Sequence, residues 1–129
     1  MGTAPTPHAD SFELGTLKTR SEFLFVREGA YAARGAVVIQ ARANPDQLGL
    51  RYGVTATRKV GNAVVRNRAK RRLRDVARRL LPELGRPGHD YVLIARARTH
   101  TRDWDRLLQD ARAALQSDTL SGQSPAARD

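Results

Sequence analysis

Cysteine is absent from the chain, which excludes disulfides, thiolate metal sites and a cysteine nucleophile outright. Acid is scarce: 13 Asp and Glu stand against 23 Lys and Arg, giving a formal net charge of +10 over 129 residues and an isoelectric point near 11.3. A globular protein tolerates that self-repulsion when a polyanion neutralises it, so nucleic acid is the first partner to consider. No apolar run approaches the roughly 20 residues that cross a bilayer. The opening MGTAPTPHADSFELGT also lacks the basic and then apolar stretches of a secretion signal. The expectation is a cytoplasmic protein with no membrane partner. Catalytic motifs are missing as well: there is no HExxH, GxSxG or phosphate loop, and His8, His89 and His100 lie scattered without a paired carboxylate. The acids Asp46, Asp75, Glu83, Asp90, Asp103, Asp105 and Asp110 are spread over several segments, which argues against a two-metal nuclease site or any protein-borne catalytic residue.

What is present falls into three stretches. Residues 1–15 mix Gly2, Pro5, Pro7 and Gly15 with small polar residues, and residues 118–129 gather serine, glycine and proline; both read as flexible tails around one domain at 16–117. Within that domain, Ser21 reads as the cap of a short helix through Phe23 and Val26, stopped by Gly29. AVVIQAR (36–42) and the alternating LGLRYGVTAT (48–57) read as strands, and the turn Asn44-Pro45-Asp46-Gln47 predicts that they pair as a hairpin. Asn62 then caps a long helix to about Leu81, before Pro82 and Gly85. DYVLIARA (90–97) is a short apolar run suited to a strand buried on both faces. From Thr101 onward, Trp104, Leu107, Leu108, Ala111, Ala114 and Leu115 follow the rhythm of an amphipathic helix. The element order predicted is αββαβα, an α+β fold.

The segment RKVGNAVVRNRAKRRLRDVARR, 58–79, holds ten basic side chains against the single acid Asp75, and so carries +9 of the chain's +10. On a helix, Val65, Ala69, Leu73, Val76, Ala77 and Leu80 form one stripe about 120° wide, and that stripe should dock on the sheet. Arg66, Asn67, Lys70, Arg71, Arg74 and Arg78 then occupy one flank, while Arg68, Arg72 and Arg79 border the other, so bases are expected on both margins. A charged helix face is usually just solvated and laced by i,i+4 pairs, but such pairs need acids. Here Arg66 with Lys70, Lys70 with Arg74 and Arg74 with Arg78 repel one another. The excess of arginine over lysine suits phosphate, since the guanidinium fork binds two oxygens at fixed geometry.

KVGNAVVRNRAKRRLR, 59–74, resembles the signature of the bacterial ribonuclease P protein family, and Arg66-Asn67-Arg68 with Lys70 and Arg71 matches its RNR motif residue by residue. The likeness extends to LKTRSEF (17–23), to the R-x-G strand at 51–57 and to DYVLIAR (90–96). The resemblance implies a small mixed sheet with the basic helix in a left-handed βαβ crossover, a fold shared with a ribosomal protein domain. It implies binding to a catalytic RNA that performs the hydrolysis with Mg²⁺, and recognition of the 5′ leader of precursor tRNA. On that footing Arg58, Lys59, Arg66, Asn67, Arg68, Lys70, Arg71 and Arg74 face RNA, and Phe23 belongs in a leader cleft, where unstacked bases lie on aromatic rings. Ordinary core packing remains the alternative for Phe23. Where relatives often carry further aromatics this chain has Arg27 and Ala36, so stacking is expected to be weaker or to shift to Phe25 or Tyr52. A ribosomal-type RNA-binding protein would share the charge and size but not the ordered motif. A DNA-binding regulator would need a dimer seam or a helix-turn-helix partner, and neither is evident.

Overall fold

A computed structural model of the protein describes residues 14–121. In chain order it contains strand β1 (Leu14–Thr16), helix α1 (Arg20–Arg27), strands β2 (Ala30–Arg34), β3 (Val37–Ala43) and β4 (Leu50–Thr55), a 3-10 turn at Arg58–Val60, helix α2 (Ala63–Leu84), strand β5 (His89–Ala95), and helices α3 (Trp104–Leu115) and α4 (Asp118–Ser121). The five strands form one mixed sheet in the order β1-β4-β5-β3-β2. β4 and β5 are parallel and joined through α2, whereas β3 runs antiparallel to both β5 and β2.

The expected hairpin between 36–42 and 48–57 does not form, because β5 lies between those two strands. Its sequence explains the insertion: Tyr91, Val92 and Leu93 are each almost fully buried, and a strand that is apolar on both faces belongs at the centre of a sheet. The 44–49 connection instead crosses the start of β5, with Asn44 N–H donating to the Gly88 carbonyl (2.7 Å) and Gly88 N–H to that of Gly49 (2.6 Å). The hairpin that does form is β2–β3, turned by Gly35 at φ +50°, a conformation that favours glycine. β1 and β2 add two strands to the αββαβα order. AYAAR carries too little β-branched or aromatic character to announce a strand, and LGT is too short.

Both termini of α1 follow from local chemistry. Its cap is Thr19 rather than Ser21: Thr19 Oγ accepts from Glu22 N–H (3.3 Å) while Glu22 Oε1 accepts from Thr19 N–H (2.9 Å). That reciprocal pairing needs Glu three residues after the cap, which Thr19 has and Ser21 lacks. α2 is capped as expected, with Asn62 Oδ1 accepting from Val65 N–H (3.0 Å). It runs one turn further than expected, through Pro82; buried Leu80 and Leu81, with Leu84 packed beside them, hold that last turn on the core.

The two faces of β5 show the layering. Tyr91, Leu93 and Ala95 join the main core with Ala69, Leu73, Val76 and Leu80 of α2 and Leu107 and Ala111 of α3. Val92 packs on the opposite face with Leu17 and Val26, against which Phe23 and Ile94 lie. Thus α2 and α3 cover one face and α1 the other. Of the tails expected at 1–15 and 118–129, residues 1–13 and 122–129 lie outside the described residues. Leu14 and Gly15 are already in β1, and Leu120 is buried in the main core.

Candidate nucleic-acid interface

The apolar stripe of α2 does what its spacing predicts. Ala69, Leu73, Val76, Ala77 and Leu80 are buried, Val65 is half-buried, and the helix is thereby fixed in rotation. Asn67, Arg68, Arg71 and Arg74 are left exposed and Lys70 half-exposed, with exposed Arg58 and Lys59 on the 3-10 turn just ahead. Gly61 joins the turn to the helix at φ +150°, where a Cβ would lie 2.8 Å from Val65 Cγ1. Arg66 is tied back across this junction, its guanidinium donating to the Gly61 carbonyl (2.9 Å). Turn and helix therefore form one basic surface. Among the described residues, none of Arg58, Lys59, Arg66, Arg68, Lys70, Arg71 and Arg74 is in an ion pair; acids pair instead with Arg51, Arg79, Arg102 and Arg112.

One margin of α2 is partly taken up by the start of α3. Arg72, expected to border the other side, donates to the carbonyls of Thr99 and Arg102 (2.7 Å each) and stands 5.4 Å from the Trp104 ring centroid. Arg79 lies 5.6 Å from the same ring and 3.5 Å from Asp75. Arg72 is thus a strut between α2 and the start of α3, whereas Arg79 pairs within its own helix and keeps more than half of its side chain exposed. The expectation of bases projecting on both margins is corrected at Arg72 alone, which α3 takes up; Arg68 and Arg79 stay exposed on the same side.

On the opposite face of the sheet an open groove of about 520 Å³ runs between α1 and the strands, lined by Arg20, Phe23, Arg27, Gln40, Val54 and Ile94. A second groove of about 280 Å³ adjoins it, lined by Lys18, Phe23, Tyr52, Val54 and Arg74. Phe23 and Val54 wall both. Phe23 is half-buried, so it packs against Val92 and its neighbours and still presents surface to each groove. Tyr52 is 5% exposed and belongs to the main core; only its margin reaches the second groove. Phe25 lines neither: the Arg42 guanidinium covers its ring at 4.1 Å and donates to its carbonyl. Of the two positions that lack the family's further aromatics, Arg27 lines the larger groove, while Ala36 is buried in the main core and faces neither. Arg20 and Gln40 carry no motif of their own in the sequence. Arg20, Phe23 and Arg27 share a helical face at i, i+3, i+7, which was readable once the helix was; the place of Gln40 depended on strand order.

Lys18 and Thr19 amides donating to Glu22, with Arg51 beside it, hold that carboxyl below the usual carboxylate range. Burial holds the His89 imidazole below its usual range and pushes the Tyr91 phenol up. Among the described residues there is no cluster of three His, Cys, Asp or Glu side chains that could hold a metal ion. No helix among them is long and apolar enough to cross a membrane.

The fold and this surface define a class: a small basic α+β protein whose longest helix presents an uncompensated cationic surface, with an aromatic-walled groove across the sheet. The family model for ribonuclease P matches residues 14–117. The ribonuclease P protein component of Caulobacter vibrioides is 51% identical over 113 residues, covering 87% of this chain and 74% of the relative. That of Ruegeria pomeroyi is 49% identical over 105 residues, covering 79% and 84%. The ribonuclease P protein of Thermotoga maritima superposes with a TM-score of 0.64 at 27% identity, over 75% of this chain and 91% of that one. The Staphylococcus aureus protein, 23% identical, shares the fold with a TM-score of 0.66 over 78% and 91%. The chain belongs to the ribonuclease P protein family. It is a protein component of the ribonucleoprotein that processes tRNA 5′ ends, and its partner there is RNA.

Proposed function

We propose that the chain grips the catalytic RNA of ribonuclease P with the exposed basic surface of α2 and the turn before it, and holds the single-stranded 5′ leader of precursor tRNA in the groove beside Phe23. The carrying observation is the row Arg68, Lys70, Arg71 and Arg74, fixed on a docked helix with no acid paired to any of them among the described residues. Such a row raises the free energy of the isolated protein and is relieved by phosphate. For the leader, an aromatic wall flanked by Arg20 and Arg27 offers a base a π-face and its phosphates charge. Hydrolysis then belongs to the RNA and the Mg²⁺ it holds, with the protein contributing affinity and substrate discrimination, in the cytoplasm where precursor tRNA is made.

Reconstitution tests this reading. Protein freed of RNA by nuclease treatment should leave precursor tRNA intact, and adding the cognate catalytic RNA should give cleavage at a lower Mg²⁺ concentration than the RNA needs alone. Cutting by the RNA-free protein, or a Mg²⁺ requirement unmoved by the protein, would overturn it.

A further inference from the structure

The R-x-G segment of β4 contributes no side chain to the cationic flank of α2, yet it is built against α1. Arg51 and Gly53 are two residues apart on a strand, so both point to the α1 face. Arg51 sits directly beside Asp90 in the parallel β4–β5 pair. Its guanidinium grips that carboxylate with two bonds, Nε to Oδ1 at 3.0 Å and Nη2 to Oδ2 at 2.8 Å. Asp90 is wholly buried and accepts a third bond from Asn44 Nδ2 (2.9 Å), so the fork is fixed in the sheet. The remaining nitrogen, Nη1, reaches Glu22 Oε2 at 3.1 Å. Glu22 is the same residue whose other oxygen closes the capping box of α1, and the next residue is Phe23. Two residues along the strand, a Cβ on Gly53 would stand 2.5 Å from Phe23 Cζ, 2.6 Å from its Cε2 and 3.3 Å from Leu17 Cβ. The ring therefore seats on bare backbone.

We infer that Arg51 and Gly53 are positioning residues for leader recognition: Arg51 fixes the first turn of α1 through Glu22, and Gly53 leaves the seat on which the Phe23 ring lies between the two grooves. This rests on the leader-binding reading above and names what sets its geometry. Because Phe23 walls both grooves, lifting its ring off the strand by about an ångström, to ordinary carbon–carbon contact, reshapes both at once. No group that touches RNA is removed. The displaced atoms are the far end of a side chain, so Gly53→Ala can fold with the ring swung aside.

The test is a double-mutant cycle in reconstituted holoenzyme, read as the ratio of affinities for precursor tRNA with and without a leader. Phe23→Ala should reduce that ratio roughly fivefold to a hundredfold, the range for loss of one base–aromatic stack. Gly53→Ala should reduce it comparably, leaving affinity for the catalytic RNA unchanged, and the double variant should be no worse than Phe23→Ala alone. Glu22→Gln keeps a residue able to close the capping box and releases Arg51, so it should lower the ratio by at most about fivefold. It also provides a second reading if Gly53→Ala folds poorly. Loss of catalytic-RNA binding by folded Gly53→Ala, losses that multiply in the double variant, or an unaffected ratio in both Gly53→Ala and Glu22→Gln would overturn the inference while leaving the leader cleft standing. No effect in Phe23→Ala would overturn the cleft itself, and this inference with it.

Discussion

Arg68 and Arg72 are four residues apart on α2, carry the same charge, and do opposite work. Arg68 is exposed and in no ion pair among the described residues, whereas Arg72 spends its guanidinium on the Thr99 and Arg102 carbonyls under Trp104. Arg68→Ala should weaken binding to the catalytic RNA by about 1.5 to 3 kcal/mol, the value of one charge-assisted bond. It should flatten the salt dependence by about 0.7 to 0.9 of a unit for each phosphate no longer neutralised, and leave stability within about 0.5 kcal/mol. Arg72→Ala should lower stability by about 1 to 3 kcal/mol, since two partly buried carbonyls lose their donor, while the salt slope of RNA binding stays put. Thermal unfolding and salt-titrated binding measured on both variants separate the roles; an Arg72 variant that unfolds normally but binds RNA poorly would reverse them. Arg66 stands between the two, because its bond to the Gly61 carbonyl gives it a structural share.

The elements respond to pH through groups that are not on the cationic surface. Glu22, at the start of α1, has its carboxyl held low by the Lys18 and Thr19 amides and then by Arg51; His89, opening β5, has its imidazole held low by burial. In both cases the unfolded chain binds the proton more readily, so each group adds stability that is complete above its ordinary range and lost as the pH falls. Unfolding temperature should therefore drop in two steps from neutrality into acid, first through the imidazole range and then through the carboxylate range. His89→Asn should remove the first step and Glu22→Gln should shrink the second. A melting temperature flat from pH 8 to pH 5 would show that His89 titrates alike in the folded and unfolded chain. Because α1 carries Phe23, the second step is also where the leader groove should loosen.

For the whole molecule the deciding quantity is charge: +9 of the net +10 lies between residues 58 and 79, on the 3-10 turn and on a helix pinned by its own apolar stripe. Self-repulsion on that helix is screened by salt, so the free protein should gain unfolding temperature as ionic strength rises, while its complex with RNA loses affinity over the same range. A free protein indifferent to salt would mean that the like charges on α2 do not strain it. The α2 stripe, its cap at Asn62, the burial of Tyr91, Val92 and Leu93 and the basic row were all legible in the sequence, because helical period, capping chemistry and charge are properties of residues close along one chain segment. The family signature lies in that same local run. Strand order was not legible. Backbone hydrogen bonds between strands carry no mark of their partner, so the turn at Asn44–Gln47 suggested a hairpin where β5 in fact enters. Which side chains border the groove with Phe23 and the meeting of Arg51 with Asp90 followed from that order, and the loss of Arg72 to the start of α3 followed from helix packing. The sequence by itself determined the charged surface and the helix that carries it. Only the tertiary structure, by bringing together residues tens of positions apart, decided where that surface ends and what holds the groove in shape.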